Sequence, residues 1–135
     1  MVVDASAVVE YLVELELTAQ ATRLFHWAAE GRVELWAPDL VYPESVSALR
    51  KLVRLGALDD SVAEAVEHLT VLPITVAGTA ALMPEVWSLR EYLTAYDACY
   101  VALADALDAA FVTAEATLAA ELRKRGRWAR FLGEL

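Results

Sequence analysis

Residues 109 to 115 read AAFVTAE: the run 109–113 is apolar and ends at Thr113, and the carboxylate of Glu115 follows two positions later. A short apolar run with aromatic and β-branched residues at its centre is typical of a buried strand. The first residues of the chain, Met1-Val2-Val3-Asp4, have the same form, because an apolar pair ends at an acidic residue. Both segments therefore predict a short buried strand with a carboxylate at or just beyond its carboxyl end.

Three further segments predict strands, and six predict helices. The strands are expected at residues 34–37, 72–76 and 128–131, and Pro73 favours an edge position for the strand that contains it. Apolar side chains at helical spacing, with Gly31 and Gly56 at two helix ends, predict helices at residues 18–31, 40–55, 61–69, 79–93, 96–107 and 114–125. Strands that alternate with helices predict an α/β fold with a parallel sheet, which places a functional site just outside the carboxyl ends of its strands.

Four acidic residues fall at those strand ends or at the helix starts that follow them: Asp4, Glu44, Asp97 and Glu115. Each has an alternative explanation, since an acidic residue in a first helical turn complements the helix dipole, and residues 94–97 match a capping box. The predicted sheet nevertheless brings all four to one edge. Two like charges 4 Å apart repel by about 4 kcal/mol at an effective dielectric of 20, so such a cluster must be protonated or neutralised by a cation. Carboxylate oxygens favour Mg²⁺ or Mn²⁺.

The composition narrows the other possibilities. The formal net charge of −9 argues against broad electrostatic binding of nucleic acid, although basic residues cluster at 123–130 and at Arg50, Lys51 and Arg54. The hydrophobic fraction of 59% exceeds the value of about 45–50% that is usual for globular domains, so we expect a protein–protein interface to bury part of the excess. No apolar stretch approaches the roughly 20 residues of a membrane span. The first residues lack the basic region of a signal peptide, so we expect none. Cys99 is the single cysteine, so it cannot form an internal disulfide, and we expect it in the core of a cytoplasmic protein. The length predicts one domain, residues 1–135.

Other common chemistries lack their motifs. The chain has no Gly-x-Gly-x-x-Gly, no Walker loop and no Gly-x-Ser-x-Gly nucleophile elbow. His26 and His68 are isolated from each other and from Cys99, so nothing indicates a zinc site. The segment Asp4-Ala5-Ser6 lacks the second Asp of an Asp-x-Asp phosphotransferase, which makes Asp4 a poor candidate for a phosphorylated aspartate.

Four segments resemble the PIN-domain ribonucleases, in the order that this family has them. Residues 1–9, MVVDASAVV, resemble the family's opening, and residues 38–44, PDLVYPE, resemble the stretch that carries its second acid. Residues 93–104, LTAYDACYVALA, are similar to the Thr-x-Tyr-Asp-Ala-x-Tyr-x-x-Leu-Ala signature of VapC-type toxins. Residues 111–115, FVTAE, resemble the final Val-Thr-x-Asp segment, except that Glu115 stands where Asp is usual.

The resemblance implies a three-layer α/β/α sandwich with a central five-stranded parallel sheet and a metal-dependent endoribonuclease activity. Asp4, Asp97 and Glu115 would hold one or two Mg²⁺ or Mn²⁺ ions, with Glu44 as a ligand or as a partner of the ligands. Ser6 and Thr113 would orient carboxylates or water, and Arg50 and Arg54 would guide the RNA backbone. The family also implies a toxin of a toxin–antitoxin pair, which forms a homodimer and binds a small antitoxin. An antitoxin Arg or Lys inserted among the carboxylates would silence the enzyme.

Three other interpretations stay open at this point. A PIN domain that no longer cuts could act as an RNA-binding or scaffolding module, which the change to Glu115 favours. An RNA-processing nuclease without an antitoxin would have the same sequence features. An unrelated α/β protein could carry all four acids as helix caps, which the segment around Asp97 argues against.

Overall fold

The computed structural model describes residues 1–135, and five parallel strands form its centre. The strands are β1 (Val2–Val3), β2 (Leu35–Pro38), β3 (Ile74–Ala77), β4 (Phe111–Thr113) and β5 (Ala129–Phe131). They lie in the order β3-β2-β1-β4-β5, and every neighbouring pair is parallel. The chain leaves β1 toward β2 on one side and leaves β4 toward β5 on the other. The strand order therefore reverses between β1 and β4, which is the place where parallel sheets commonly bind ligands.

Seven α-helices connect these strands and cover both faces of the sheet. They are α1 (Ala5–Leu12), α2 (Thr18–Ala29), α3 (Val41–Arg54), α4 (Ala63–Leu69), α5 (Met83–Ser88), α6 (Ala95–Ala106) and α7 (Ala116–Lys124). Helix α1 packs against α2, α3 and α4, whereas α5 packs against α6, and α6 lies on β1, β2 and β4. This arrangement is the predicted α/β/α sandwich. No helix is long and apolar enough to cross a membrane.

The core lies along the two central strands and helix α6. Both residues of β1 are fully buried, and the residues from Ala98 to Ala104 are all buried, including Cys99 as expected. This burial explains why α6 shows a weak amphipathic pattern, since a helix that is covered nearly all round has no polar face. It also makes α6 a rigid support for the side chains that its first turn presents at the sheet edge.

The sequence analysis missed one helix, and one predicted helix is much shorter in the structure. Helix α1 was missed, because its buried residues include the consecutive run Ala7-Val8-Val9, and two adjacent valines are typical of a strand. The helix predicted at 79–93 contains only a 3₁₀ turn at Ala80–Leu82 and the short α5, followed by a turn at residues 89–93. The Arg90 guanidinium donates to the Trp87 carbonyl oxygen at 3.0 Å and caps the end of α5. The chain then becomes extended at Thr94, which caps α6.

The other element predictions agree with the structure to within a few residues. Helices α2 and α3 end just before Gly31 and Gly56, whose φ values of 70° and 75° lie in the left-handed region that glycine adopts easily. Pro43 lies in the first turn of α3, as expected. Strand β3, which Pro73 precedes directly, forms one edge of the sheet. Strand β5 forms the other edge.

Candidate active site

The four predicted carboxylates, Asp4, Glu44, Asp97 and Glu115, line one cavity of about 170 Å³. Each comes from a different element at the carboxyl edge of the sheet. Asp4 follows β1 and caps α1, whereas Glu44 lies in the first turn of α3. Asp97 lies in the first turn of α6, and Glu115 connects β4 to α7. The parallel sheet therefore brings together residues that are up to 111 positions apart in the sequence.

Asp4 is the most deeply placed of these acids, with 6% of its surface exposed. Its Oδ1 accepts hydrogen bonds from the Ser6 hydroxyl at 2.6 Å and from the Ala7 backbone N–H at 3.0 Å. Burial raises the pKa of Asp4 to about 6, although the hydroxyls of Ser6 and Thr113 and the Ala7 N–H all favour the ionised form. The negative charge of Glu115 raises this pKa further. Asp4 thus caps α1, while burial and the charge of Glu115 disfavour its ionised form.

Ser6 and Thr113 connect the ends of the two central strands. The Ser6 Oγ lies 3.3 Å from the Thr113 Oγ1 and accepts a hydrogen bond from the Ala114 N–H at 2.9 Å. The Thr113 Oγ1 in turn accepts from the Glu115 N–H at 3.0 Å. Because Ser6 also donates to Asp4, this network fixes the backbone that carries Glu115 relative to the carboxylate of Asp4. Ser6 therefore contacts the carboxylate of Asp4 and Thr113 the backbone of Glu115, while their role in orienting carboxylates or water stays a prediction.

Glu44 has a partner that the sequence analysis did not assign. The hydroxyl of Tyr100 donates to the Glu44 Oε1 at 2.9 Å, and the Tyr100 side chain is 1% exposed. Burial raises the pKa of Glu44, the Tyr100 hydrogen bond opposes that rise, and the charges of Asp97 and Glu115 add to it. Burial and the neighbouring Glu44 also raise the pKa of Tyr100, so its hydroxyl stays protonated and remains a donor. Tyr100 thus positions Glu44 and stabilises its ionised form.

We expect Tyr100→Phe to destabilise the protein by about 1 kcal/mol at pH 7.5, because the ionised Glu44 loses its hydrogen-bond donor. The difference from wild type should shrink in acid, where Glu44 is protonated, since the bond is worth most to the charged carboxylate. Urea denaturation at pH 7.5 and pH 4.5 measures both values. Tyr42→Phe is the control, because the Tyr42 hydroxyl makes no hydrogen bond in the structure, and it should change little. An equal loss at both pH values would contradict a role for Tyr100 in stabilising the charge of Glu44.

Asp97 and Glu115 lie on the more open side of the cavity. The Thr94 Oγ1 accepts from the Asp97 backbone N–H at 3.2 Å, which is one half of the predicted capping box and leaves the Asp97 carboxylate facing the cavity. Burial raises the pKa of Asp97, and the side-chain hydrogen bond with Thr94 opposes the rise. The side chain of Glu115 is exposed and makes no hydrogen bond or ion pair. Its longer stem therefore has room to turn toward Asp4.

None of the four carboxylates has a basic partner. Every ion pair of the protein is formed by other acids, at Glu30, Glu85, Glu91, Asp105, Glu121 and Glu134. Burying ionised carboxylates without a cation raises the free energy of the folded protein. The raised pKa values of Asp4, Glu44 and Asp97 reflect this effect. The arrangement favours either proton uptake or a bound cation.

The donor set fits a hard divalent ion, because carboxylate oxygens without a competing cation are the ligands of Mg²⁺ and Mn²⁺. In their present positions the side chains form no group of three or more that could hold an ion together. The exposed Glu115 is the side chain with the most freedom to move toward the other three carboxylates. Asp4, by contrast, is held in place by its two hydrogen bonds.

The predicted RNA-contacting residues Arg50 and Arg54 line a second, larger groove of about 600 Å³ beside the cavity. Glu44 and Ala48 line both spaces, so the groove opens directly onto the acidic cavity. The groove also contains Lys51 and Tyr96, which the sequence analysis did not treat as functional residues. The spacing of positions 47, 50, 51 and 54 on one face of α3 was the signal that could have found Lys51, whereas Tyr96 lies in the first turn of α6 and belongs to no such pattern.

No family profile matches the chain. It is 41% identical over 121 residues to ribonuclease VapC9 of Mycobacterium tuberculosis, an alignment that covers 87% of this chain and 87% of VapC9. Two solved structures have the same fold. The structure of PAE2754 from Pyrobaculum aerophilum has a TM-score of 0.67 and 24% identity, and covers 89% of this chain and 84% of that one. Mycobacterium tuberculosis VapC20, described as a sarcin–ricin loop cleaving toxin, has a TM-score of 0.64 and 15% identity, and covers 89% and 93%.

The likeness to the two solved structures concerns the fold alone, since both are less than 25% identical to this chain. The likeness to VapC9 extends over most of both chains at a much higher identity. The segments that resemble the PIN-domain family are also the ones that place carboxylates around the cavity. The chain belongs to the VapC ribonuclease family and has its PIN-like α/β/α fold.

Proposed function

We propose that this protein is a metal-dependent endoribonuclease and the toxin component of a toxin–antitoxin pair. The observation that carries the proposal is the cavity of four carboxylates without a basic partner, at the point where the strand order reverses. Membership of the VapC ribonuclease family supports RNA as the substrate. The absence of a nucleophile elbow or a histidine near the cavity favours hydrolysis by water over a covalent intermediate.

In this proposal Asp4, Asp97 and Glu115 hold Mg²⁺ or Mn²⁺. When bound, the ion would lower the pKa of a water molecule and neutralise the charge that develops on the phosphate. Asp4 supplies a fixed oxygen, because Ser6 and Ala7 hold its carboxylate. Glu44, whose ionised form the Tyr100 hydrogen bond stabilises, would accept a proton from the attacking water or serve as a further ligand of the ion. Thr113 aligns the backbone of Glu115 from the neighbouring strand.

The test is cleavage of total RNA by the purified protein in EDTA, in Mg²⁺ and in Mn²⁺. We expect defined RNA fragments only when a divalent ion is present. Thermal unfolding under the same conditions should show a higher Tm with the ion, because a ligand that binds only the folded state stabilises it. Intact RNA in all three buffers, together with RNA binding, would support a non-cutting RNA-binding module instead.

Variants of Glu115 test whether its side chain, longer than the usual Asp, still acts as a ligand of the metal ion. We expect Glu115→Asp to keep cleavage and Glu115→Gln to lose about 100-fold, since loss of a charge next to an ion costs several kcal/mol of transition-state stabilisation. Neither change should lower the Tm, because the side chain is exposed and unpaired. Glu14→Gln is the control: this exposed acid follows α1 at the opposite edge of the sheet. Equal cleavage by wild type and Glu115→Gln would reduce Glu115 to a helix-dipole residue.

The proposal includes two protein partners, a second copy of the chain and a small antitoxin. Large apolar side chains are exposed on α3, directly after it and on α5, namely Val46, Leu55, Met83 and Trp87. Trp27 of α2 packs partly buried against the core, with Arg32 over its ring. Light scattering at micromolar concentration tests for the homodimer, and a stable monomer would contradict it. The antitoxin is expected to place a basic side chain near Asp4, Asp97 or Glu115.

A further inference from the structure

The basic cluster at residues 123–130 does not form one anion-binding surface. Three of its five cations pair with acids: Arg123 with Glu134, Lys124 with Glu121 and Arg127 with Asp105. Of the other two, Arg130 lies on the edge strand β5. Arg125 forms no ion pair and no side-chain hydrogen bond, and its guanidinium carbon lies 3.9 Å from the centre of the Tyr92 ring. An aromatic ring, and not a carboxylate, therefore holds this exposed cation.

Tyr92 is itself fixed by the segment that follows α7. The Arg127 Nε donates to the Tyr92 hydroxyl oxygen at 2.9 Å, and Arg127 also pairs with Asp105 of α6. Gly126 ends α7 with a φ of 76°, in the left-handed region that glycine adopts easily, and it turns the chain between the two arginines. Arg125 thus contacts the ring of Tyr92, and Arg127 its hydroxyl. The stacked pair is in place before any ligand binds, which lowers the entropic cost of binding.

The stacked pair lines a pocket of about 270 Å³ that adjoins the acidic cavity. The other lining residues are three leucines and three polar residues, namely Leu93, Leu118, Leu122, Glu115, Thr117 and Glu121. Glu115 lines both spaces, so the pocket lies directly beside the four carboxylates. The basic groove of α3 lies on the other side of the cavity, since α3 follows β2, α7 follows β4, and β1 runs between these two strands.

The lining fits a nucleobase better than a phosphate. Glu115 and Glu121 outnumber the single cation Arg125, so the charges of the pocket disfavour an anion. A nucleobase is planar and has apolar faces and polar edges, and bases stack on guanidinium planes as well as on aromatic rings. Carboxylate oxygens accept hydrogen bonds from base amino groups, as Glu and Asp do from cytosine N4. The leucines, the stacked guanidinium and the acid at the rim together match such a ligand.

We propose that this pocket binds the base of a nucleotide next to the cleaved phosphate, with the base stacked on Arg125 and its amino group bonded to Glu121. The inference rests on the proposed ribonuclease function and adds a sequence preference to it: a base with an exocyclic amino group, and not uracil, lies beside the cut. Arg125 and Glu121 are then specificity-determining residues. Their alternative role is structural, with Arg125 at the negative end of the α7 dipole and Glu121 paired with Lys124.

Titration with cytidine and with uridine in EDTA, followed by the NMR amide signals of Leu118 and Leu122, tests the pocket without metal or phosphate. The two nucleosides have nearly the same shape, but uridine carries the acceptor O4 where cytidine carries the N4 amino group. We expect cytidine to bind about 5- to 10-fold more tightly, which is the effect of about one hydrogen bond. Inorganic phosphate should leave these signals unchanged.

Single variants separate the two contacts. Arg125→Lys keeps the charge but loses the planar group, so it should weaken the binding of both nucleosides at least about 5-fold. Glu121→Gln can donate as well as accept, so it should bind cytidine and uridine about equally. Arg90→Lys is the matched control, because Arg90 lies over the Trp87 ring at 4.4 Å, outside the pocket. It should leave both affinities unchanged.

A purely structural role for Arg125 and Glu121 would change stability and leave the nucleoside preference unaltered. Equal binding of cytidine and uridine by wild type, no saturable binding of either up to about 10 mM, or unchanged binding by Arg125→Lys would overturn the proposal. Signal shifts with phosphate as large as those with cytidine would also overturn it, in favour of an anion site.

Cleavage of total RNA in Mn²⁺ is scored separately from nucleoside binding. When wild type cuts, uridine should be depleted at one position next to the cut, and Glu121→Gln should lose that depletion. A wild type that prefers cytidine but never cuts would overturn the ribonuclease function and leave the pocket supported. A wild type that cuts RNA but binds both nucleosides equally would do the reverse.

Discussion

Asp97→Asn is expected to lower RNA cleavage by about 100-fold or more, because several kcal/mol of transition-state stabilisation depend on each charged ligand of a catalytic ion. The same change should leave the Tm of the metal-free protein unchanged or raise it. Burial raises the pKa of Asp97, so the ionised carboxylate is less favourable in the folded protein than in the unfolded chain. Asparagine has nearly the same shape and removes that charge.

The helix cap is retained in this variant, since the capping bond joins the Thr94 Oγ1 to the backbone N–H of residue 97. Asp108→Asn is the matched control: it removes the same charge just beyond the other end of α6, at a φ of 48° that asparagine tolerates well. Initial rates on one RNA and a thermal melt in EDTA give both quantities. An Asp97→Asn variant that unfolds would show that the carboxylate serves the capping box, and a variant that cuts normally would remove Asp97 from the catalytic set.

Asp4→Asn is expected to stabilise the metal-free protein above pH 6 by up to about 3 kcal/mol while it abolishes cleavage. The pKa of Asp4 is about 6 in the folded protein against 3.8 for an exposed aspartate, and one pKa unit is worth about 1.4 kcal/mol. Because the folded-state value is the higher one, the folded protein binds the proton more tightly. The stability that depends on this group is therefore present below about pH 4, falls as the pH rises to 6, and stays low above it.

Urea denaturation in EDTA between pH 4 and pH 7.5 measures this dependence. The wild-type curve should fall across that window, and the Asp4→Asn curve should be flatter and cross above it, since asparagine resembles the protonated acid. Asp4→Ala should instead be destabilised throughout, by about 0.5–2 kcal/mol for the lost cap, because Ser6 and the Ala7 N–H lose their acceptor. Asp39→Asn, at an exposed acid that follows β2 at the same sheet edge, serves as the control. An Asp4→Asn variant less stable than wild type at pH 7.5 would show that the folded protein favours the ionised form of Asp4, contrary to this prediction.

The strands and the order of the four acids could be predicted from the sequence, because a buried strand in a parallel sheet is a short apolar run and needs no partner to be recognised. Residues 2–4 and 109–113 both met this condition, and both lie at the centre of the sheet. Helix α1 was missed, because its apolar residues Ala7, Val8 and Val9 are consecutive and resemble the short run of a buried strand. The region 79–93 failed for the opposite reason: its spacing was helical, but the return to the sheet edge required a turn before Thr94.

Side-chain partners were decided by the tertiary structure alone. Tyr100 and Glu44 are 56 positions apart and meet because α3 and α6 both begin at the carboxyl edge of the sheet. Ser6 and Thr113 are 107 positions apart and meet because β1 and β4 are neighbours. Which strands are neighbours depends on how the helices cover the two faces, a packing choice that local sequence patterns do not encode.

Sequence by itself thus determined that carboxylates follow buried strands or open helices, which in a parallel sheet restricts them to one edge. The tertiary structure decided that Asp4 is buried and held by two donors, that Glu44 rests against a tyrosine, and that Glu115 is free. It also decided that the basic face of α3 opens onto the same cavity. The physical reason is the range of the forces involved: strand and helix formation follow from neighbouring residues, whereas burial, pKa and charge pairing depend on every element packed around a group.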